Sequence, residues 1–152
     1  MRLATLSDLN EIIRIRNLHR KVLPHLRNDK IKERINDRQV IFQDGVVIIF
    51  SIADKMRKIG DDTSIYVSKG STILHQVFKD NNVVAGGIIK QFLVSQPDDV
   101  YCSVRNDNVL AINRYEKLGL ERIGHIKWKN GELDGSVYVF RKQGTLKDFL
   151  RW

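Results

Sequence analysis

The chain is poor in the residues that build covalent and metal-based scaffolds. It has one cysteine in 152 residues, Cys102, so no intrachain disulfide can form and a cysteine-based metal cluster is not expected. Cys102 sits in an apolar stretch, where a buried, inert thiol is the default. The four histidines, His19, His25, His75 and His125, show no ligand spacing such as H-x-x-x-H, so no metal site is expected. Only two prolines occur, Pro24 and Pro97, and each falls between expected elements. No linker, repeat or low-complexity tract divides the chain. No apolar run reaches the roughly 18 residues that crossing a bilayer requires. The opening MRLATLSDLNEIIRIRN lacks the uninterrupted apolar stretch of a secretory signal. The expectation is a single domain over residues 1–152, cytoplasmic and without a membrane partner.

What is present is ordinary globular material with a basic excess. The chain is 42% hydrophobic and 29% charged, and 26 Lys and Arg against 18 Asp and Glu give a formal charge of +8. Much of the excess lies early. Arg14, Arg16, Arg20, Lys21, Arg27, Lys30, Lys32, Arg34 and Arg38 are interleaved, after Glu11, with only Asp29, Glu33 and Asp37. A basic face of this kind could attract nucleic acid, an acidic substrate or the phosphates of a nucleotide cofactor. It could equally be a solvated helix surface that keeps the protein soluble.

Hydrophobic periodicity divides the chain into short elements. Arg2 to Thr5 reads as a strand, followed by a helix capped by Ser7 or Asp8 that carries Leu9, Ile12, Ile13, Ile15 and Leu18. After Pro24, Asn28 or Asp29 can cap a second helix through Ile35. VIFQDGVVIIFSI then reads as a hairpin turning at Asp44-Gly45. Val46 to Phe50 is apolar without alternation, the mark of a strand covered on both faces. From Ala53 to Gly70 the pattern weakens, with a short strand at Ser64 to Val67. Thr72 to Phe78 is a clearer strand, and Val84 to Leu93 a helix turning Ile88, Ile89, Phe92 and Leu93 inward. A strand over Val100 to Val104 precedes a further helix. Two final strands, Glu121 to Trp128 and Ser136 to Arg141, are joined through Asn130-Gly131 and Asp134-Gly135.

The most informative stretch is VRNDNVLAINRYEKLGL, Val104 to Leu120. Asn108 is a favoured N-cap, Ala111, Ile112, Tyr115 and Leu118 recur on one helical face, and Gly119 with Leu120 forms a C-terminal stop. The spacing N-x-x-A-x-x-x-Y-x-K-x-G-[FL], after the strand-like YCSVRND, resembles the C-terminal signature of the GNAT superfamily of N-acetyltransferases. The element order is similar to that fold over about Arg2 to Arg141. The resemblance implies an α/β (α+β) domain with a mixed sheet of about seven strands, splayed between the fourth and fifth, and about four flanking helices. Taken without the resemblance, the string says only strand, loop, helix and strand, with Tyr115 a half-buried core residue.

The resemblance also implies acetyl-CoA, or another acyl-CoA, as cofactor. In that family a loop written [RQ]-x-x-G-x-[GA] holds the pyrophosphate on backbone N–H groups at a helix start, where free donors and the helix dipole favour anions. Here the matching segment is VFKDNNVVAGGIIKQFL. Ala85 and Gly87 fall at the small-residue positions, with Gly86 between them and Ile88 following. Val84 stands near the place of the usual Arg or Gln, so the loop is degenerate. The cofactor-binding set implied is Gln76, Val77, Phe78, Val84, Ala85, Gly86, Gly87, Ile88, Asn108, Ala111 and Tyr115. Outside the resemblance, an AGG before a helix is a loop or close helix packing.

Acyl transfer to an amine needs a neutral nucleophile, a stabilised oxyanion and a proton for the departing thiolate. Tyr115 matches the family's general acid; a phenol with pKa near 10 can at least hydrogen-bond a developing thiolate. Backbone N–H groups of Gln76 to Phe78 would polarise the carbonyl. His75 takes the place of the family's strand glutamate and can serve as base near neutral pH. Alternation sets Ile73, His75 and Val77 on one face and Leu74, Gln76 and Phe78 on the other, so His75 could equally be a hydrogen-bonded residue among apolar neighbours. Acceptor recognition is sought in KVLPHLRNDK, where His25 and Arg27 could bind an acidic group, and in WKNGELDG, where Trp128 could stack on an acceptor or cover the core edge. The function implied is N-acyl transfer from acyl-CoA to a small-molecule or peptide amine. The alternative is a diverged protein of the same fold that modifies or binds nucleic acid through its basic surface. A homodimer is left open.

Overall fold

A computed structural model describes residues 1–60, 63–128 and 131–142. They form two compact units, the first built from Met1–Ser51 and Leu74–Ile89, the second from Ile52–Ile73 and the chain from Lys90 onward.

In the first unit, the expected opening strand shrinks to one antiparallel bridge, Leu3 to Ile41. The Ala4 N–H donates to the Val40 carbonyl at 2.8 Å and the Phe42 N–H to that of Arg2 at 3.1 Å. The pairing stops at Thr5 because the Asp8 carboxylate accepts the Thr5 N–H at 2.9 Å and turns the chain into the 3-10 turn Leu6–Asp8. Helix α1 (Leu9–Asn17) follows, burying Ile12, Ile15 and Arg16. Helix α2 (Asn28–Asn36) buries Ile31 and Ile35. Neither helix has the expected forward side-chain cap: Asp8 reaches back to Thr5, Arg27 occupies the N-cap of α2, and the Asn28 oxygen accepts from Arg16 instead.

Strands β1 (Val40–Gln43) and β2 (Val46–Ile52) form the expected antiparallel hairpin, with Val40 opposite Ile49 and Gln43 opposite Val46. Asp44 and Gly45 both have positive φ, 50° and 77°, as a two-residue hairpin loop following the strand twist requires. Val46 to Ile49 are all fully buried, as an unbroken apolar run predicts. Ile12, Ile31, Val47, Ile49 and Phe78 share one core cluster.

In the second unit, β3 (Arg57–Lys58) and β4 (Tyr66–Val67) form a separate two-stranded ribbon where the sequence pattern is weak. Strand β5 (Thr72–Lys79) begins here and continues into the first unit, and helix α3 (Gly86–Ser95) likewise belongs to both. Strand β6 (Val100–Arg105) is followed by helix α4 (Val109–Lys117), β7 (Glu121–Trp128) and β8 (Leu133–Phe140). Strand β8 pairs antiparallel with both β6 and β7. The Thr72 N–H donates to the Asp99 carbonyl at 3.0 Å, so β5 and β6 start side by side. Joined by a helix, they run parallel.

Among the described residues the sheet order is β1-β2-β5-β6-β8-β7, six strands where about seven were expected, with four α-helices. The fold is mixed α/β with a mostly antiparallel sheet. Asp134-Gly135, expected in a turn, lies inside β8. Gly135 leaves room for the Trp128 ring, which a Cβ there would strike, so Trp128 covers its neighbouring strand. Asn130 lies outside the described residues. No helix among the described residues is long and apolar enough to cross a membrane.

Candidate active-site residues

Helix α4 presents Tyr115 through purely local chemistry. The Asn108 side chain accepts the Ala111 N–H at 3.2 Å, capping the first turn. At the far end Gly119, at φ 97°, lets its N–H reach the Glu116 carbonyl and the Leu120 N–H the Tyr115 carbonyl, both at 3.1 Å. This is the paired closure that a left-handed residue after a helix permits. Ala111, Ile112, Tyr115 and Leu118, the expected inward face, are half-buried, while every other residue of the helix is exposed. Burial, and then the nearby Cys102, holds the Tyr115 phenol well above the ordinary tyrosine range. Cys102, on β6 and 1% exposed, has its thiol pushed up to about 12 by desolvation. Tyr115 therefore stays protonated throughout the physiological range, and Cys102 is the inert thiol its setting predicts.

The first unit holds His75, Gln76 to Phe78 and Val84 to Ile88; the second holds Asn108, Ala111 and Tyr115. His75 is half-buried, and its Nε2 lies 2.8 Å from Ser51 Oγ on β2. Ser51 carries little signal in the sequence, being a lone hydroxyl at the end of an apolar strand. Alternation puts Ser51 on the same face of β2 as Val47 and Ile49. Phe78 shares a cluster with Val47 and Ile49, while His75, three residues earlier, bonds Ser51.

After β5 the chain turns through Asn82, at φ 64°, and enters α3 at Gly86. The Ile89 N–H is bonded to the Ala85 carbonyl at 3.0 Å, which leaves the N–H groups of Gly86, Gly87 and Ile88 without intrahelical acceptors. Both glycines are exposed, and a Cβ built on either meets nothing within 4 Å. Neither packing nor positive φ demands glycine at these positions. Open backbone donors at the start of a ten-residue helix fit a pyrophosphate, which needs close approach to N–H groups. Val84, at the position of the missing Arg or Gln, is 88% exposed.

Ion pairs take up part of the early basic series. Arg14 bonds Glu11 and Asp80, each at 2.6 Å, Arg27 bonds Asp29 at 2.9 Å, and Lys30 bonds Glu33 at 3.4 Å. His25 is exposed beside Leu26 in the connection from α1 to α2. Among the described residues no group of three His, Cys, Asp or Glu side chains could hold a metal ion.

No protein-family model matches the chain, and no curated protein matches it. Solved structures do. A GNAT-family acetyltransferase from Bacillus cereus superposes with a TM-score of 0.67 at 15% identity, covering 93% of this chain and 95% of the other. One from Streptococcus agalactiae gives 0.69 at 14%, covering 93% and 94%. The ribosomal-protein-S18-alanine N-acetyltransferase of Escherichia coli gives 0.61 at 14%, covering 92% and 91%. The fold is that of the GNAT acetyltransferases.

Proposed function

We propose that the protein is an N-acyltransferase, moving an acetyl or other acyl group from acyl-CoA to a primary amine by direct attack. The open glycine start of α3, set in a fold that acetyltransferases share, carries this assignment. Acyl-CoA supplies a thioester carbonyl activated for attack. The N–H groups of Gly86, Gly87 and Ile88 hold its pyrophosphate, with Val84 and Ala85 leading into them. Backbone N–H groups of Gln76 to Phe78 on β5 polarise the carbonyl. His75 takes the proton of the acceptor ammonium, and Ser51 Oγ, at 2.8 Å, fixes its ring. Tyr115, kept neutral by burial, donates a hydrogen bond to the departing sulfur. Asn108 and Ala111 shape the start of the same helix. The acceptor class is a small-molecule or peptide amine; the Escherichia coli neighbour, by its name, acts on a protein alanine.

Thermal unfolding with and without acetyl-CoA and free CoA tests the assignment. At a hundredfold excess over Kd, a ligand confined to the native state stabilises by about 2.7 kcal/mol, a rise on the order of 5–10 °C for a chain of this size. No rise with any acyl-CoA would remove the cofactor from the reading.

A further inference from the structure

The cleft between the end of α1 and the start of α2 holds a charge imbalance that the surrounding fold does not resolve. Its volume is about 660 Å³, and three arginines, Arg16, Arg20 and Arg27, line it with a single carboxylate, Asp29, together with Asn28 and the apolar Leu23, Pro24 and Leu26. Arg27 is neutralised, its guanidinium forked onto Asp29 at 3.1 and 2.9 Å. Arg16 is buried, at 4% exposure, and every acceptor it meets is uncharged: the Leu26 carbonyl, the Asn28 side-chain oxygen, and Asn17 Oδ1 at 3.0 Å from Nε. Arg20 Nε donates to the same Asn17 oxygen at 3.1 Å. One amide oxygen thus clamps two guanidiniums together, and among the described residues neither pairs with a carboxylate.

Such an arrangement is unfavourable in isolation. A cation withdrawn from water and set beside a like charge loses solvation that neutral acceptors restore only in part. Desolvation, and then the charge of Arg20, lowers the Arg16 pKa, the direction expected of a cation without a counter-ion. A guanidinium has five N–H donors. The bonds above use three on Arg16 and one on Arg20, so both retain donors for a further acceptor. The cleft volume also falls within the range of small-molecule sites.

We propose that this cleft binds the oxyanion group, carboxylate or phosphate, of a small molecule, with Arg16 and Arg20 as its ligands. Leu23, Pro24 and Leu26 cover the apolar part of that molecule. Two guanidiniums held side by side suit a planar or tetrahedral oxyanion, which accepts from both at once. The site does not depend on acyl transfer, so a chain that binds the anion but no acyl-CoA leaves this inference intact.

Calorimetric titration with inorganic phosphate and, separately, with succinate tests the proposal, with ionic strength held constant by sodium chloride. Saturable binding of either probe, weakened at least tenfold in Arg20→Gln and retained in Gly87→Glu, supports it. The tighter probe identifies the oxyanion. Arg16→Gln removes the buried ligand, but also its ties to Leu26 and Asn28; Arg20 is exposed, so Arg20→Gln keeps the test independent of folding. Absence of saturable binding, or binding unchanged in Arg20→Gln, overturns the proposal. Phosphate binding lost in Gly87→Glu but kept in Arg20→Gln would place the anion at α3 and overturn it as well.

Discussion

Replacing Gly87 with alanine should strengthen the fold and weaken acyl-CoA binding, two effects of opposite sign from one methyl group. A Cβ at this position meets nothing within 4 Å, and Gly87 does not have the positive φ that disfavours other residues. The methyl therefore introduces no clash, and alanine restricts the unfolded chain and favours the helix by about 0.5–1 kcal/mol. For a chain of this length that is a rise of about 1–4 °C in Tm. The same methyl occupies the open space through which an anion would approach the N–H groups of the first turn. We expect acetyl-CoA affinity to fall about tenfold or more, roughly 1.4 kcal/mol. Gly87→Glu widens the contrast. Its carboxylate suits a helix N-terminus, yet repels a pyrophosphate, so binding should vanish from a protein that remains folded. Denaturation and isothermal titration of the three proteins suffice. A lowered Tm in Gly87→Ala would show a packing role for the glycine. Unchanged acetyl-CoA affinity in both variants would refute the assignment of the pyrophosphate to this backbone.

Tyr115→Phe should cut kcat at least tenfold while leaving acetyl-CoA affinity within about twofold, because the hydroxyl is asked to act only as sulfur departs; unaltered turnover would remove it as the acid. Cys102 should shape alkaline unfolding. With a folded pKa of about 12 against an ordinary value of 9.0, the thiol is neutral in both states below pH 9, and above it the unfolded chain ionises first. Stability is therefore full below pH 9 and falls progressively toward pH 12, by an amount on the order of 4 kcal/mol. Cys102→Ala should flatten that part of the stability profile, and an identical slope in the variant would show that the thiol does not ionise on unfolding.

What the sequence made legible is what is decided within a few residues along the chain. The Asp44-Gly45 turn, the unbroken apolar run Val46 to Ile49, and the Asn108 to Leu120 helix with its cap and glycine stop are each written in a few consecutive residues. The misplacements share the opposite property. Asn28 is a sound N-cap by local rules, yet its oxygen serves Arg16, twelve residues away. Asp134-Gly135 has the composition of a turn, but the glycine is needed inside β8 to admit Trp128. The opening strand ends early because Asp8 captures the Thr5 N–H, a competition that strand periodicity does not register. The β3–β4 ribbon, two residues on each side, is too short to leave any periodic trace.

The same division runs through the candidate site. Tyr115 could be named from its string, but the state of its phenol is set by burial and then by the nearby Cys102, which no spacing encodes. His75 could be named as a strand histidine, but its partner Ser51 is twenty-four residues distant and becomes visible only when β2 and β5 lie side by side. These environments decide the chemistry more than the residue names do. A phenol held well above its ordinary range does not titrate near neutral pH, so it can donate a hydrogen bond at every pH where an amine acceptor is usable. Any rise in rate between pH 6 and 8 must then come from groups other than Tyr115 that remove the proton of the acceptor amine. The Tyr115→Phe variant should accordingly lower the whole pH–rate profile without moving its midpoint. A midpoint displaced in that variant would mean that Tyr115 is coupled to the base, and that proton removal and thiolate departure are not separate tasks.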